Sequence, residues 1–267
     1  MAIRMWTTEQ SEPLIKMMEK DMPAFFHMER SVKCGRPLIL SDGEECLLAQ
    51  DSPADPMWIW TSDNIYDVVL EDMIFSLSAL KESKNLRAVV AKNRTARLLS
   101  LAFDHDLEKK QRLSVYTMNT LQPKGAEGEC VPGTKVDPDT AGEMIALMLK
   151  EDGEDISPAK RNSMGAVFSQ SPDSFAWKTG TNEIATIAKT ANVGSLYTEI
   201  HTVVTKPEMR NCGYAQALLT AICKRILAEG RTPMLYADRD YLPSNAAYRK
   251  IGFLEKDRLT VLRLRNS

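Results

Sequence analysis

Cysteine and histidine are scarce in this chain, and neither sign of charge dominates it. The five cysteines, Cys34, Cys46, Cys130, Cys212 and Cys223, are scattered, odd in number and never arranged as Cys-x-x-Cys. With only His27, His105 and His201 beside them, no metal-ligand spacing arises. That usage fits a reduced, intracellular setting. Lys and Arg total 34 against 36 Asp and Glu, a net charge of −2; a dedicated nucleic-acid binder would carry a basic excess, so no nucleic-acid partner is expected. No apolar run approaches membrane-spanning length, and Glu9, Glu12, Lys16, Glu19, Lys20 and Asp21 break up any signal-peptide core. A cytoplasmic location with no membrane partner is the expectation. Short repeats and low-complexity tracts are also missing.

What is present is enough for two domains of ordinary size. The chain has 267 residues, 43% of them hydrophobic, which supplies the material for real cores. The sharpest change of composition is Leu121 to Asp137, with Pro123, Gly125, Gly128, Pro132 and Gly133. Those residues interrupt helix and strand alike, so the expected domains are residues 1–121 and 122–267. The first half reads as mixed α and β. A helix is expected over Glu12–Val32 with a break at Pro23, and another over Asp63–Leu80 opened by a polar cap. Short strands are expected at Leu38–Leu40, Leu47–Ala49, Leu86–Ala91 and Leu113–Thr117.

The second half is better punctuated. Thr140-Ala141-Gly142-Glu143 has the spacing of a capping box, and Ser157-Pro158 opens a second helix. Thr179 to Asn182 forms a hairpin turn between two strands, Asn192-Val193-Gly194 forms another, and a strand follows over Leu196–Thr205. Pro207 ends that strand. A helix then starts at Ala215, with Ala215, Leu218, Leu219, Ile222 and Ile226 on one face, and stops at Gly230. A strand, a tight loop with Gly213, and a helix N-terminus together make an anion site, because free N–H groups and the helix dipole converge there. Arg210 could add a charged fork; the alternative is an ordinary strand–helix turn.

The run from Glu199 to Ala215 resembles the acetyl-CoA motif of the GNAT acetyltransferase superfamily. Leu235-Tyr236-Ala237-Asp238, followed by Ser244-Asn245-Ala246-Ala247-Tyr248 and Gly252-Phe253, resembles its second signature. The two stand in the family's order, and the likeness covers about Val136 to Leu264, nearest the C-terminal domain of glycine N-acyltransferases. The resemblance implies an α/β (α+β) GNAT fold: a central mixed, mostly antiparallel sheet flanked by helices. It also implies a degenerate GNAT-like N-terminal domain, since residues 1–120 hold no Arg-x-x-Gly-x-Gly/Ala counterpart, Lys92-Asn93-Arg94-Thr95-Ala96 lacking glycine. That half would shape the acceptor pocket or pack as a pseudo-symmetric partner.

The same resemblance assigns residues. Val203, Val204 and Thr205 would bind the pantetheine arm through their backbone. Arg210, Asn211, Cys212, Gly213, Tyr214, Ala215 and Gln216 would hold the pyrophosphate, and Asn245 would contact the arm. Tyr248 matches the tyrosine that protonates the leaving thiolate; its other reading is packing against Phe253. Glu199 is the candidate base, with His201 two residues on as a second candidate and an ordinary strand-end glutamate as the alternative. Cys212 is expected to supply a backbone amide rather than a nucleophile, and Trp58, Trp60 and Trp177 to serve packing, though Trp177 sits on a strand that could line the acceptor cleft. The implied activity is N-acetyl transfer from acetyl-CoA, as cosubstrate, to a small-molecule amine or amino acid. The rival readings are protein lysine or N-terminal acetylation and a non-catalytic acyl-CoA-binding protein.

Overall fold

The computed structural model describes residues 2–34, 37–104, 106–193 and 196–265. His105, and Gly194 of the expected 192–194 turn, lie outside the described residues. The chain forms two compact units. The first comprises Met1–Val115 with Ala237–Tyr241 and Glu255–Ser267, and the second Tyr116–Tyr236 with Leu242–Leu254. The stretches that return to the first unit from the C-terminal half run across the two domains drawn from composition alone.

In chain order the elements of the first half are β1 (Arg4–Trp6), α1 (Glu12–Met17), α2 (Phe26–Cys34), β2 (Leu38–Ser41), β3 (Cys46–Gln50) and β4 (Met57–Thr61). There follow α3 (Asp67–Glu82), β5 (Ala88–Lys92), α4 (Asn93–Ala102) and β6 (Leu107–Met118). The expected helix over 12–32 is broken twice. Met18 closes α1, and a 3-10 turn leads to a cis Met22–Pro23 bond before α2. The helix expected from Asp63 begins instead at Asp67, capped by Tyr66 without a side-chain hydrogen bond. In the loop ahead of it, Ile65 packs against the core that contains Val69, Met73 and Leu77.

The second half holds β7 (Glu129–Pro132), α5 (Pro138–Glu151), α6 (Pro158–Gln170), β8 (Ser174–Lys178), β9 (Ile184–Val193) and β10 (Tyr197–Thr205). After these come α7 (Tyr214–Ala228), β11 (Thr232–Asp238), α8 (Leu242–Lys250) and β12 (Phe253–Leu264). Ser157 caps α6 through its hydroxyl, with Pro158 at the first position. The start of α5 corrects the capping-box reading. The cap is Asp137, whose carboxylate accepts from the Thr140 N–H at 3.0 Å, so Thr140 lies inside the first turn. Asp-Pro wins because proline's fixed φ suits the first helical position directly after an acidic cap. Helices α5 and α6 cross where both lack a Cβ. A side chain at Gly142 would stand 2.8 Å from the Arg161 carbonyl, and one at Gly165 would strike the Pro138 carbonyl.

Among the described pairings, each unit has a mostly antiparallel sheet with one parallel pair. In the first the order is β1-β2-β3-β4-β5, β4 and β5 being parallel, and β12 lies antiparallel on β5. In the second it is β11-β10-β9-β8-β7, with β10 and β11 parallel. A parallel pair needs a crossover, and a helix supplies it each time: α3 in the first unit and α7 in the second. Strand, helix, strand, short helix thus occurs twice, as β4-α3-β5-α4 and as β10-α7-β11-α8. The core of the second unit gathers Val131, Val136, Met144, Ile145, Phe168, Ala176, Ile187 and Val204. On α7, Leu218, Leu219, Ile222 and Ile226 are buried as the periodicity required, while Ala215 is only half-buried.

Candidate active site

Strand β10, which carries several of the candidate residues, leaves its neighbour part-way along. It pairs with β11 only through Tyr197, Thr198 and Glu199, opposite Thr232, Pro233 and Met234. From Ile200 onward that edge of β10 has no ladder partner on β11, although its other edge stays paired with β9 as far as Thr205. The cause is local. His201 sits opposite Lys189 and Val204 opposite Ile187, so Thr202 and Val203 together face one residue. Thr202 adopts a left-handed φ of 53°. Such a bulge bends a strand and increases its twist, which turns β10 away from β11. Beyond the bulge, the Thr205 hydroxyl meets that of Thr186 at 2.9 Å and fixes the strand end.

The loop behind the strand closes onto α7 through two left-handed residues, Asn211 at φ 64° and Gly213 at φ 85°. Gly213 is the N-cap and has no side chain with which to satisfy the first turn. Among the described residues, the N–H groups of 211–216 meet no acceptor; the first helical bond runs from Ala217 N–H to the Gly213 carbonyl at 3.0 Å. A Cβ at Gly213 would find only the Gly125 carbonyl, 4.0 Å away. The result is a cluster of unsatisfied donors at the positive end of a 15-residue helix, bordered by open space. Cys212 is exposed, its thiol 3.5 Å from the Arg210 carbonyl.

Arg210 does something the sequence did not suggest. Its Nε donates to the Thr205 carbonyl at 3.2 Å, and its Nη2 pairs with Glu151 at the end of α5 at 2.7 Å. The guanidinium therefore fastens the loop to the strand end and to α5, and its charge already has a carboxylate partner. Glu199 lies on β10 at the last paired position and is 5% exposed. His201, two residues on, is half-buried, with Nδ1 2.9 Å from the Thr202 hydroxyl. Both candidate bases thus precede the bulge on one strand.

Asn245 and Tyr248 share α8, one turn apart, and both are buried. Tyr248 makes an edge contact with Phe253 and a tilted one with Tyr116, each with ring centroids 6.1 Å apart. Tyr116, on β6, had no role in the sequence reading. Its side chain is fully buried and its hydroxyl donates to Asn245 Oδ1 at 2.9 Å while accepting from Arg249 Nη2 at 3.1 Å. Arginine has no acceptor, so the direction of both bonds is fixed. Ser114 to Met118 are all buried, so no alternation singles Tyr116 out, and its partners lie 129 and 133 residues away.

Residues 179–261 match the family model for FR47-like protein. That stretch contains β9, β10, the loop, α7, β11 and α8, hence all the candidate residues except Tyr116. Over the whole chain the structure is similar to an acetyltransferase of the GNAT family from Colwellia psychrerythraea. The TM-score is 0.62 at 11% identity, over 99% of this chain and 100% of that one. This is a GNAT fold. A GCN5-related N-acetyltransferase from Sphaerobacter thermophilus is similar with a TM-score of 0.65 at 15% identity, over 98% of this chain and 94% of that chain. The tandem GNAT protein from the clavulanic acid biosynthesis pathway gives 0.59 at 11% identity, over 97% of both chains. No curated protein sequence matches the chain. Full-length similarity to a tandem protein agrees with the doubled strand–helix–strand arrangement, so the GNAT pattern extends over both halves. Among the described residues, no helix is long and apolar enough to cross a membrane.

Proposed function

We propose that this chain is an N-acetyltransferase that moves an acetyl group directly from acetyl-CoA to a primary amine of a small molecule or amino acid. The observation that carries the reading is the parting of β10 from β11 after Glu199, directly ahead of an α7 N-terminus whose amides are unsatisfied. A pantetheine arm is an amide chain that can extend a strand ladder. The unpaired edge of β10 around Val203, Val204 and Thr205 offers the ladder for it. A diphosphate suits the donors of Asn211 to Gln216, since Gly213 leaves the approach free of a side chain. Asn245 on α8, held by Tyr116, would contact the arm.

The chemistry asks little covalently of the protein. A neutral amine attacks the thioester carbonyl carbon, the C–S bond breaks, and coenzyme A leaves as its thiolate. Donors on the free edge of β10 oppose the negative charge that grows on the carbonyl oxygen. Tyr248 supplies the proton that the thiolate takes, a phenol being protonated at neutral pH yet able to give up its hydrogen to sulfur. Glu199, directly or through water, accepts the proton that the new amide nitrogen must lose, with His201 as the neighbouring alternative. Arg210 serves as the strut that holds the loop in shape. The test is release of free thiol from acetyl-CoA across a panel of amines and amino acids. Amine-dependent release is the expected result. Tight coenzyme binding without release under any amine would replace the enzyme reading with a binding protein.

A further inference from the structure

The segment between β6 and β7 is laid across the start of α7 and fastened along its length. The Gln122 N–H donates to the Ile251 carbonyl at 2.9 Å, and the Thr120 carbonyl lies directly against Gly252. Further on, the Lys124 N–H donates to the Thr220 hydroxyl of α7 at 3.1 Å. The Gly125 carbonyl is the one non-local atom within 4.0 Å of the place a Gly213 side chain would take. The Trp177 indole N–H then closes the strap on the Glu127 carbonyl at 3.1 Å. Its backbone is thereby fixed beside the loop of unsatisfied amides.

A diphosphate brings two negative charges to those amides, and the loop's own arginine is already paired with Glu151. The first turn of α7 carries no charged residue. Lys124 is exposed and has no ion-pair partner among the described residues. Its peptide adjoins Gly125, and a lysine stem reaches roughly 6 Å from its Cα. We propose that Lys124 is a donor-recognition residue: its ammonium pairs with the diphosphate of the coenzyme and supplies the charge that Arg210 does not. The inference rests on the acyl-CoA reading above and deepens it. It makes a segment outside the strand–loop–helix motif part of the coenzyme site.

Titration calorimetry on the full chain tests it, with coenzyme A, 3′-dephospho-coenzyme A and pantetheine as probes. Lys124→Ala is expected to weaken coenzyme A binding about tenfold, the worth of one charge-assisted hydrogen bond. The same loss is expected with dephospho-coenzyme A, and none with pantetheine, which has no phosphate. Lys124→Arg should retain most of the affinity, and the gap between wild type and Lys124→Ala should narrow as salt is raised. A Lys124→Ala affinity within twofold of wild type overturns the proposal. So does a loss that disappears with dephospho-coenzyme A, which would place the lysine on the 3′-phosphate. If the wild type binds none of the three probes, the acyl-CoA reading fails and takes this one with it.

Discussion

Replacing Gly213 by alanine separates the conformational from the functional demand on that residue. At φ 85° a residue with a Cβ is strained, at a cost of about 1–2 kcal/mol for leaving the right-handed region. No steric clash is added, because the nearest non-local atom stands 4.0 Å from the new methyl group. For a chain of this size, roughly 2–8 °C of melting temperature is therefore expected to be lost without ligand. Binding should suffer separately. The methyl group occupies the space through which a phosphate approaches the amides, and forfeiting one charge-assisted hydrogen bond weakens affinity about 10- to 100-fold. Thermal shift assays with and without acetyl-CoA read both effects. At a hundred times Kd the wild type gains about 2.7 kcal/mol, or roughly 5–10 °C, and the variant should gain little of it. Cys212→Ala, a change at an exposed neighbouring side chain, should keep the full ligand shift. If Gly213→Ala lost apo stability yet kept that shift undiminished, the diphosphate assignment would be refuted and the glycine would be only a turn residue.

Other consequences are as direct. Tyr248→Phe is expected to lower kcat while leaving the KM for acetyl-CoA nearly unchanged, and unaltered turnover would return Tyr248 to packing against Phe253. Glu199→Gln should cut kcat by about 10²–10⁴-fold if the carboxylate is the general base; a comparable fall in His201→Asn with Glu199→Gln active would move the role two residues along the strand. Tyr116→Phe removes the hydrogen that Asn245 Oδ1 accepts, so the KM for acetyl-CoA should rise more than kcat falls. The reverse pattern in steady-state kinetics would count against a positioning role. In the first unit, Arg258, with help from the Ser114 hydroxyl, holds the Glu255 carboxyl down to about 2 from its ordinary 4.5. A depressed carboxylate contributes stability that is present above 4.5 and lost as pH falls through about 2. Unfolding curves of the wild type and Glu255→Gln should therefore converge across that window, and parallel curves would show that the pair adds nothing.

The features written into short stretches of sequence were legible, and those made by distant residues were not. Ser157-Pro158 and the apolar stripe of α7 are local, and each formed as read. Asp137 displaced Thr140 as the cap because two overlapping signals competed within four residues, and proline decided between them. Strand β4 escaped notice since Met57, Ile59 and Trp60 are all buried and leave no alternation to read. Helix α4 begins within the basic stretch at Asn93, whose lack of glycine rules out a phosphate loop but leaves a helix open. Of the candidate site, the loop and α7 are readable from spacing, and Asn245 and Tyr248 are named by family likeness alone. The Arg210–Glu151 pair spans 59 residues and the Tyr116 contacts well over a hundred. Such partners are chosen by the folded chain, and no periodicity announces them. The bulge at Thr202 is equally silent, because threonine is an ordinary strand residue and its left-handed φ is imposed from outside.

The backbone passes from one compact unit to the other after Val115, Tyr236, Tyr241 and Leu254. Neither unit is a continuous length of chain, so no single cut in the gene could release either one whole. The first unit gains its final strand, β12 on β5, only after every residue of the second unit has been synthesised.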